Sequence, residues 1–150
     1  MLRYYSVFFR GEMRLLIVTL LLTVLTACSG SGVKSYSTTM LISEQSEGSV
    51  FVVRDTGFIG STALMKVSLN GRRIGEIGRD ETAVGKISDG NNYLEAEFTG
   101  IAGIGINSVR ASFPKTGKEN KYFIVKLQQG LFSNELEMFE VKESRFRSAL

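Results

Sequence analysis

Short runs of β-branched and aromatic residues follow one another along the chain after residue 48, and Gly, Asn and Asp interrupt them at intervals of about 8 to 12 residues. This pattern predicts strands at 49–54, 63–69, 72–77, 83–87, 93–99, 106–113, 122–128 and 135–141, with a weaker strand at 39–42. It contains no long stretch with a helical period. The chain is therefore predicted to be all-β, folded as a single antiparallel β-sandwich or as a small barrel. The last ten residues fit one or two helical turns, a frayed tail or a final irregular strand.

The clearest local signal is a hairpin turn. Asn70-Gly71 tolerates the two positive φ angles of a type I′ turn, whose twist matches the flanking strands. Before the turn, Met65, Val67 and Leu69 alternate with polar residues, so one face of this hairpin is expected to lie in the core.

The N-terminal segment has the order of a secretory signal peptide: a positive charge at Arg14, an apolar run over 15–25 and then small residues. A helix that crosses a membrane needs about 20 apolar residues, so this run predicts a cleaved leader over 1–27, with Met13 as an alternative start. Residues 28–38 are rich in Ser and Gly and predict a flexible tether. Residues 39–150 are predicted to form the sandwich domain.

The leader ends in Leu25-Thr26-Ala27-Cys28, which resembles the lipobox of bacterial lipoproteins. The resemblance implies that Cys28 becomes the mature N-terminus and carries a diacylglyceryl thioether and a palmitate-type acyl chain, so that membrane lipid is a partner. Ser29 follows in place of the Asp that retains such proteins in the inner membrane, which favours the outer membrane, facing the periplasm. The alternative is that Cys28 is a free thiol or a small core residue beside an ordinary cleavage site.

Charge and composition exclude several classes of function. The 150 residues carry a net charge of +3, but 15 basic and 14 acidic residues remain from Cys28 onward, which excludes a nucleic-acid footprint. The chain has no His and one Cys, so it lacks an imidazole base, an intrachain disulfide and a multi-thiolate metal site. The sequence therefore predicts no enzyme, no catalytic residues, no metal and no cofactor.

Two loops carry residues that could serve a binding site. Gly100, Gly103 and Gly105 are too irregularly spaced for a dinucleotide fingerprint or a P-loop, so they predict a Gly-rich hairpin connection or a bulged strand, with a small ligand on exposed amides as the alternative. The segment Asp89-Gly90-Asn91-Asn92 lacks the spacing of a calcium loop and predicts a turn.

Charged residues on strands give two further candidates. Glu95 and Glu97 share one face of a strand, either as a carboxylate pair or, as we expect, as solvated charges. Arg54 and the pair Arg72-Arg73 are candidates for contact with an anionic cell-wall polymer or lipopolysaccharide, against ordinary surface solvation.

Residues 48–78 resemble the bacterial lipoprotein family called domain of unknown function 2846. The matching elements are a Val-rich strand that ends in Arg54, a Gly-containing connection at 57–60, a strand at 67–69, the Asn70-Gly71 turn and Ile74-Gly75. The segments KISDGNNYLEAEF, YFIVKLQ and ELEMFEV continue the similarity. Asp89-Gly90 stands where Pro-Gly is usual, and Asn92 stands where His is frequent. The resemblance implies a broadly immunoglobulin-like β-sandwich and no established activity.

Two functions follow as hypotheses. The first is a lipid-anchored bacterial envelope protein, a non-enzymatic binding or structural module that meets an envelope protein or a cell-wall partner. The alternative is a small envelope hydrolase or ligand carrier that uses the loop from Gly100 to Gly105, which requires a concave, partly apolar pocket beside that loop.

Overall fold

A computed structural model describes residues 31–43, 47–56, 63–130 and 134–150 of the chain. These residues form nine strands, two α-helices and a short 3-10 helix at Gly100–Gly103. The strands are β1 (Val33–Lys34), β2 (Ser49–Asp55), β3 (Met65–Leu69), β4 (Arg72–Ile77), β5 (Glu81–Lys86), β6 (Asn91–Phe98), β7 (Val109–Pro114), β8 (Lys121–Gln129) and β9 (Asn134–Val141). The helices are α1 (Ser35–Ser43) and α2 (Glu143–Arg147).

The strands form two sheets, which confirms the predicted all-β sandwich. The first sheet has the order β1-β5-β2-β8-β9 and the second has the order β4-β3-β6-β7. Each of the eight main strands predicted from the sequence is present, and most of their ends fall within two residues of the predicted ends. All four strands of the second sheet lie between β2 and β8 in the chain, so the first sheet is completed only after the second.

One strand pair departs from the predicted antiparallel arrangement. Strands β2 and β8 run parallel, in register from Val50 opposite Lys121 to Asp55 opposite Lys126. A parallel pair needs a long crossover, and here the crossover passes through the whole second sheet. Local turn signals report only on consecutive strands, which is why the sequence pattern did not reveal this pairing.

The turn between β3 and β4 is the predicted hairpin. Asn70 has φ of 52° and Gly71 has φ of 78°, the two positive angles of a type I′ turn. Leu69 pairs with Arg72 across it. Met65, Val67 and Leu69 are buried as predicted.

The main core lies between the two sheets. It is formed by inward-facing residues at alternate positions along the strands, among them Val50, Val52, Met65, Val67, Leu94, Ala96, Phe113, Phe123 and Val125. Burying a large apolar side chain contributes about 1.5–3 kcal/mol, so this interior is the main source of the stability of the domain.

A second apolar cluster covers the outer face of the first sheet. Phe51 and Tyr122 on the sheet pack against Phe146 of α2, and Ile42 of α1 belongs to the same cluster. Phe146 is fully buried. Both helices therefore cover this face of the first sheet and form a layer that the strand pattern did not predict.

The segment that precedes β2 corrects two predictions. Residues 33–38 were predicted to belong to a flexible tether and 39–42 to a weak strand, but β1 pairs with β5 and α1 occupies Ser35–Ser43. The hydroxyls of Thr38, Thr39 and Ser43 each donate to the carbonyl four residues earlier, at 3.1, 3.2 and 3.0 Å. Such bonds satisfy the hydroxyls but do not themselves favour a helix. The packing of the buried Ile42 in the cluster on the first sheet stabilises α1 in a sequence of modest helical propensity.

The C-terminal tail takes one of the alternatives left open by the sequence, a short helix. Glu143 in its first turn forms an ion pair with Arg147 at 2.8 Å. Within the described ranges, no helix combines the length and the apolar character needed to span a membrane.

Candidate functional site

Cys28, the predicted lipid attachment site, lies outside the described residues. Ser31, three residues later, is hydrogen-bonded to the second sheet. The backbone N–H of Ser31 donates to the carbonyl of Glu76 at 2.7 Å, and the N–H of Glu76 donates to the Ser31 hydroxyl at 2.8 Å. The Glu76 carboxylate in turn lies 3.0 Å from the hydroxyl of Thr99. We call Ser31, Glu76 and Thr99 the anchor junction.

The anchor junction is held by further contacts on the second sheet. Arg73 forms an ion pair with the second carboxylate oxygen of Glu76 at 2.5 Å. The N–H of Thr99 donates to the carbonyl of Leu64 at 2.9 Å. Arg73 was a candidate for contact with an anionic partner, and the structure gives its guanidinium an intramolecular carboxylate instead.

The loop that begins directly after Thr99 connects β6 to β7, as the predicted hairpin connection. Gly100 and Gly105 have positive φ of 67° and 78°, which favours glycine. A Cβ on Gly103 would lie 2.4 Å from the carbonyl oxygen of Phe98, so this position also requires glycine. The three glycines therefore satisfy backbone geometry.

The same loop exposes large apolar side chains. Ile101 is 88% exposed and Ile104 is 77% exposed. The backbone N–H of Ile104 and that of Ile106 each donate to a carbonyl within the loop. These amides are thus engaged by the loop itself, and what the loop offers to a partner is apolar surface.

Arg54 is the candidate residue whose surroundings differ most from expectation. It was expected at the surface, but only 6% of it is exposed. Its guanidinium donates to the carbonyl of Ala63 and lies 5.9 Å from the ring centroid of Phe98. Burial lowers the pKa of Arg54 from its ordinary value, while Glu81 and Asp80 act in the opposite direction. Arg54 therefore ties the end of β2 to the interior.

Glu81 is the buried acidic partner at this end of the sandwich. It forms an ion pair with Lys34 of β1 at 2.6 Å and accepts the N–H of Gly78 at 2.8 Å. Burial alone would raise the pKa of Glu81, but the hydrogen bonds from Lys34 and Gly78 outweigh it and hold that pKa below its ordinary value. Glu81 thereby joins β1, which precedes α1, to the sandwich.

Of the segment Asp89-Gly90-Asn91-Asn92, predicted as a turn, Asp89 and Gly90 bend the chain between β5 and β6, and Asn91 and Asn92 begin β6. Asn92 is buried, and its side chain bonds to Ser88 N–H, to the carbonyls of Ser88 and Gly90, and to the Asn70 amide, at 2.8–3.1 Å. The pKa of Asp89 is lowered because Lys115 hydrogen-bonds to it. Asn92 therefore joins this segment to the Asn70-Gly71 hairpin, and its side-chain amide is used in hydrogen bonds within the protein.

Glu95 and Glu97 lie on the outer face of the second sheet, each beside a cation of a neighbouring strand. Glu95 forms an ion pair with Arg110 at 3.3 Å, and Glu97 forms one with Lys66. Each carboxylate thus has a cation beside it, as expected of charges on a solvated sheet face. In the part of the chain that the structure describes, no three acidic or thiol side chains converge in a way that could hold a metal ion.

Three surface concavities lie elsewhere. One of about 270 Å³ is lined by Arg54, Asp55, Arg79 and Asp80 among others, and one of about 310 Å³ lies between Asn92 and Phe113. None of these three is lined by residues 100–105. They therefore give no support to a pocket beside that loop.

The third concavity, of about 340 Å³, was missed by the sequence analysis. It brings together Lys86, Lys115 and Lys118 beside Glu47. Lys115 pairs with Asp89 at 2.5 Å and Lys118 with Glu47 at 3.1 Å. Lys86 is distant in the sequence from Lys115 and Lys118, so only the folded topology shows that it is their neighbour.

Comparison with protein-family models and with curated protein sequences gave no match for this chain.

Proposed function

We propose that the chain is a lipid-anchored bacterial envelope protein, a non-enzymatic binding or structural module that faces the periplasm from the outer membrane. The observation that carries the proposal is the position of the anchor junction directly after the lipobox-like Leu25-Thr26-Ala27-Cys28 segment. A lipidated Cys28 would thereby be joined to a folded β-sandwich with almost no spacer. The similarity of residues 48–78 to domain of unknown function 2846 agrees with this proposal.

The length of the connection makes the proposal specific. Three residues span at most about 10 Å when extended, so Cys28 lies within that distance of Ser31. Each buried methylene contributes about 0.8 kcal/mol, and more than one acyl chain is required for stable anchoring. A fully acylated Cys28 would therefore hold the sandwich against the lipid surface.

The described side chains support a module without catalysis. Asn92 is saturated by its four hydrogen bonds, Glu95 and Glu97 form ion pairs, and Arg54 is buried. A hydrolase or ligand carrier at the 100–105 loop would need polar groups that converge in a cleft. The loop presents Ile101 and Ile104 instead.

The test is mass spectrometry of the mature N-terminus together with membrane fractionation. We expect a chain that begins at Cys28 and carries acyl mass, found in the outer-membrane fraction. The Cys28→Ala variant should lose the acyl mass and leave that fraction, whereas the matched Ser29→Ala variant should keep both. An unmodified Cys28, or a Cys28→Ala protein that stays in the membrane with its leader removed, would overturn the anchor.

The second part of the proposal has its own experiment. Affinity capture of the acylated protein from solubilised membranes should recover the same envelope component in repeated preparations. Reproducible turnover of a cell-wall or ester substrate by the purified protein would instead favour the hydrolase.

A further inference from the structure

The loop over 100–105 combines exposed apolar side chains with an absence of charge. Ile101 and Ile104 are 88% and 77% exposed, the two most exposed of the large apolar side chains in the described residues. The sequence from Phe98 to Val109 contains no charged residue. Exposed apolar surface of this kind marks contact with a partner or a membrane, and the absence of charge makes entry into lipid inexpensive.

The position of this loop identifies which partner fits. Thr99, the residue before it, contacts Glu76, and Glu76 forms two hydrogen bonds with Ser31. The loop and the segment leading from Cys28 are thus attached to one small region of the surface. Because Cys28 lies within about 10 Å of Ser31, a lipidated Cys28 places this region next to the bilayer.

We propose that Ile101 and Ile104 insert into the lipid surface beside the acylated Cys28, so that the loop is a second point of membrane contact that fixes the orientation of the sandwich. This inference rests on the proposed function, since the anchor brings the loop to the lipid. The glycines at 100, 103 and 105 give the loop its compact 3-10 turn, which presents both isoleucines on a short segment.

Phe139 is an exposed apolar residue in different surroundings. Phe139 on β9 is 43% exposed, but Glu137 and Glu140 lie beside it in the sequence. Strand β9 is also at the opposite edge of the first sheet from β1. Phe139 is therefore expected to remain in water, and it serves as the matched control.

The chain contains no Trp, so a single introduced Trp reports on one position. The Ile101→Trp, Ile104→Trp and Phe139→Trp variants of the full acylated protein are reconstituted into vesicles of phosphatidylethanolamine and phosphatidylglycerol. Trp emission from the Ile101→Trp and Ile104→Trp variants should shift to shorter wavelength and be quenched by lipids that are brominated on their acyl chains. Emission from the Phe139→Trp variant should show neither change.

The outcomes separate this inference from the proposed function. If the N-terminus is acylated but the Ile101→Trp and Ile104→Trp variants behave as the Phe139→Trp variant does, the inference is wrong and the anchor stands. If Cys28 carries no lipid, both the proposed anchor and this inference, which depends on it, are overturned. Shielding of these Trp residues in native membranes but not in pure lipid vesicles would assign the loop to a protein partner and also overturn it.

Discussion

The ring of Phe146 packs against the ring of Tyr122 with their centroids 5.3 Å apart, and the hydroxyl of Tyr122 lies 3.1 Å from the carboxylate of Glu143. A helix of five residues is too short to persist alone, so this contact and a second one to Phe51 at 6.2 Å hold α2 on the sheet. The end of the chain is thereby part of the folded domain.

Replacing Phe146 with Ala should therefore lower the free energy of unfolding by about 3–5 kcal/mol, because it empties a fully enclosed aromatic site. Urea denaturation followed by circular dichroism measures this loss. Arg145→Ala, an exposed change in the same helix, should stay within about 0.5 kcal/mol of the unchanged protein. Equal stability of the two variants would show that α2 does not contribute to the fold.

Asn92 gives a second prediction, about the turn region. Asn92→Ala should cost about 1–3 kcal/mol, because it leaves the buried polar groups of Ser88 and Gly90 without their partner. The exposed neighbour provides the control, and Asn91→Ala should be close to neutral. Thermal unfolding of both proteins distinguishes a structural Asn92 from one kept for ligand binding, since the latter would leave stability unchanged.

The buried hydroxyl of Thr82 lowers the stability of the folded protein, and a single substitution should remove this loss. Within the described part of the chain, its buried hydroxyl has no hydrogen-bond partner. Val has nearly the same shape and no polar atom, so Thr82→Val should leave stability equal or raise it by up to about 1 kcal/mol. The control is Thr38→Val, which deletes a hydroxyl that donates to the carbonyl oxygen of Lys34 at 3.1 Å and should lower the free energy of unfolding. A large loss of stability in Thr82→Val would reveal an unrecognised partner.

Glu81 makes stability depend on pH. Its pKa in the folded protein is below the ordinary carboxyl value of about 4.3, so its contribution is complete above that value and is lost as the pH falls through the lowered folded pKa. Between about pH 6 and pH 3, the unchanged protein should lose more stability than Glu81→Gln does. Denaturant titrations at several pH values measure the difference between the two slopes. Parallel slopes would contradict a buried, charged Glu81.

Strand alternation and turn chemistry predicted most of the fold. Asn70-Gly71 and the alternation of Met65, Val67 and Leu69 depend on neighbours in the chain, and the structure confirms both. Helix α1 was missed because Thr39 to Ile42 has the composition of a strand, and the helix depends on packing against the first sheet. Tertiary contact overrides propensity in such a case.

The site was less accessible to sequence reasoning. The Gly-rich loop was recognised from the sequence. Only the structure shows that Gly103 lies against the backbone of Phe98 and that Ile101 is exposed. Arg54 carries no signal in the sequence that distinguishes a buried guanidinium from an exposed one. The contact between Glu76 and Thr99 joins β4 to the residue after β6, and these strands are not adjacent in the sheet, so no local pattern reports it.

The parallel pair of β2 and β8 also constrains the order in which this domain can form. A chain made from its N-terminus presents β2 early, but the neighbour opposite Val50 is Lys121, so one edge of β2 stays open while the second sheet is synthesised. Unpaired strand edges promote aggregation, and contacts between distant residues slow folding. Completion of the first sheet therefore waits for nearly the whole chain, and truncation before residue 121 should abolish folding rather than yield a smaller domain.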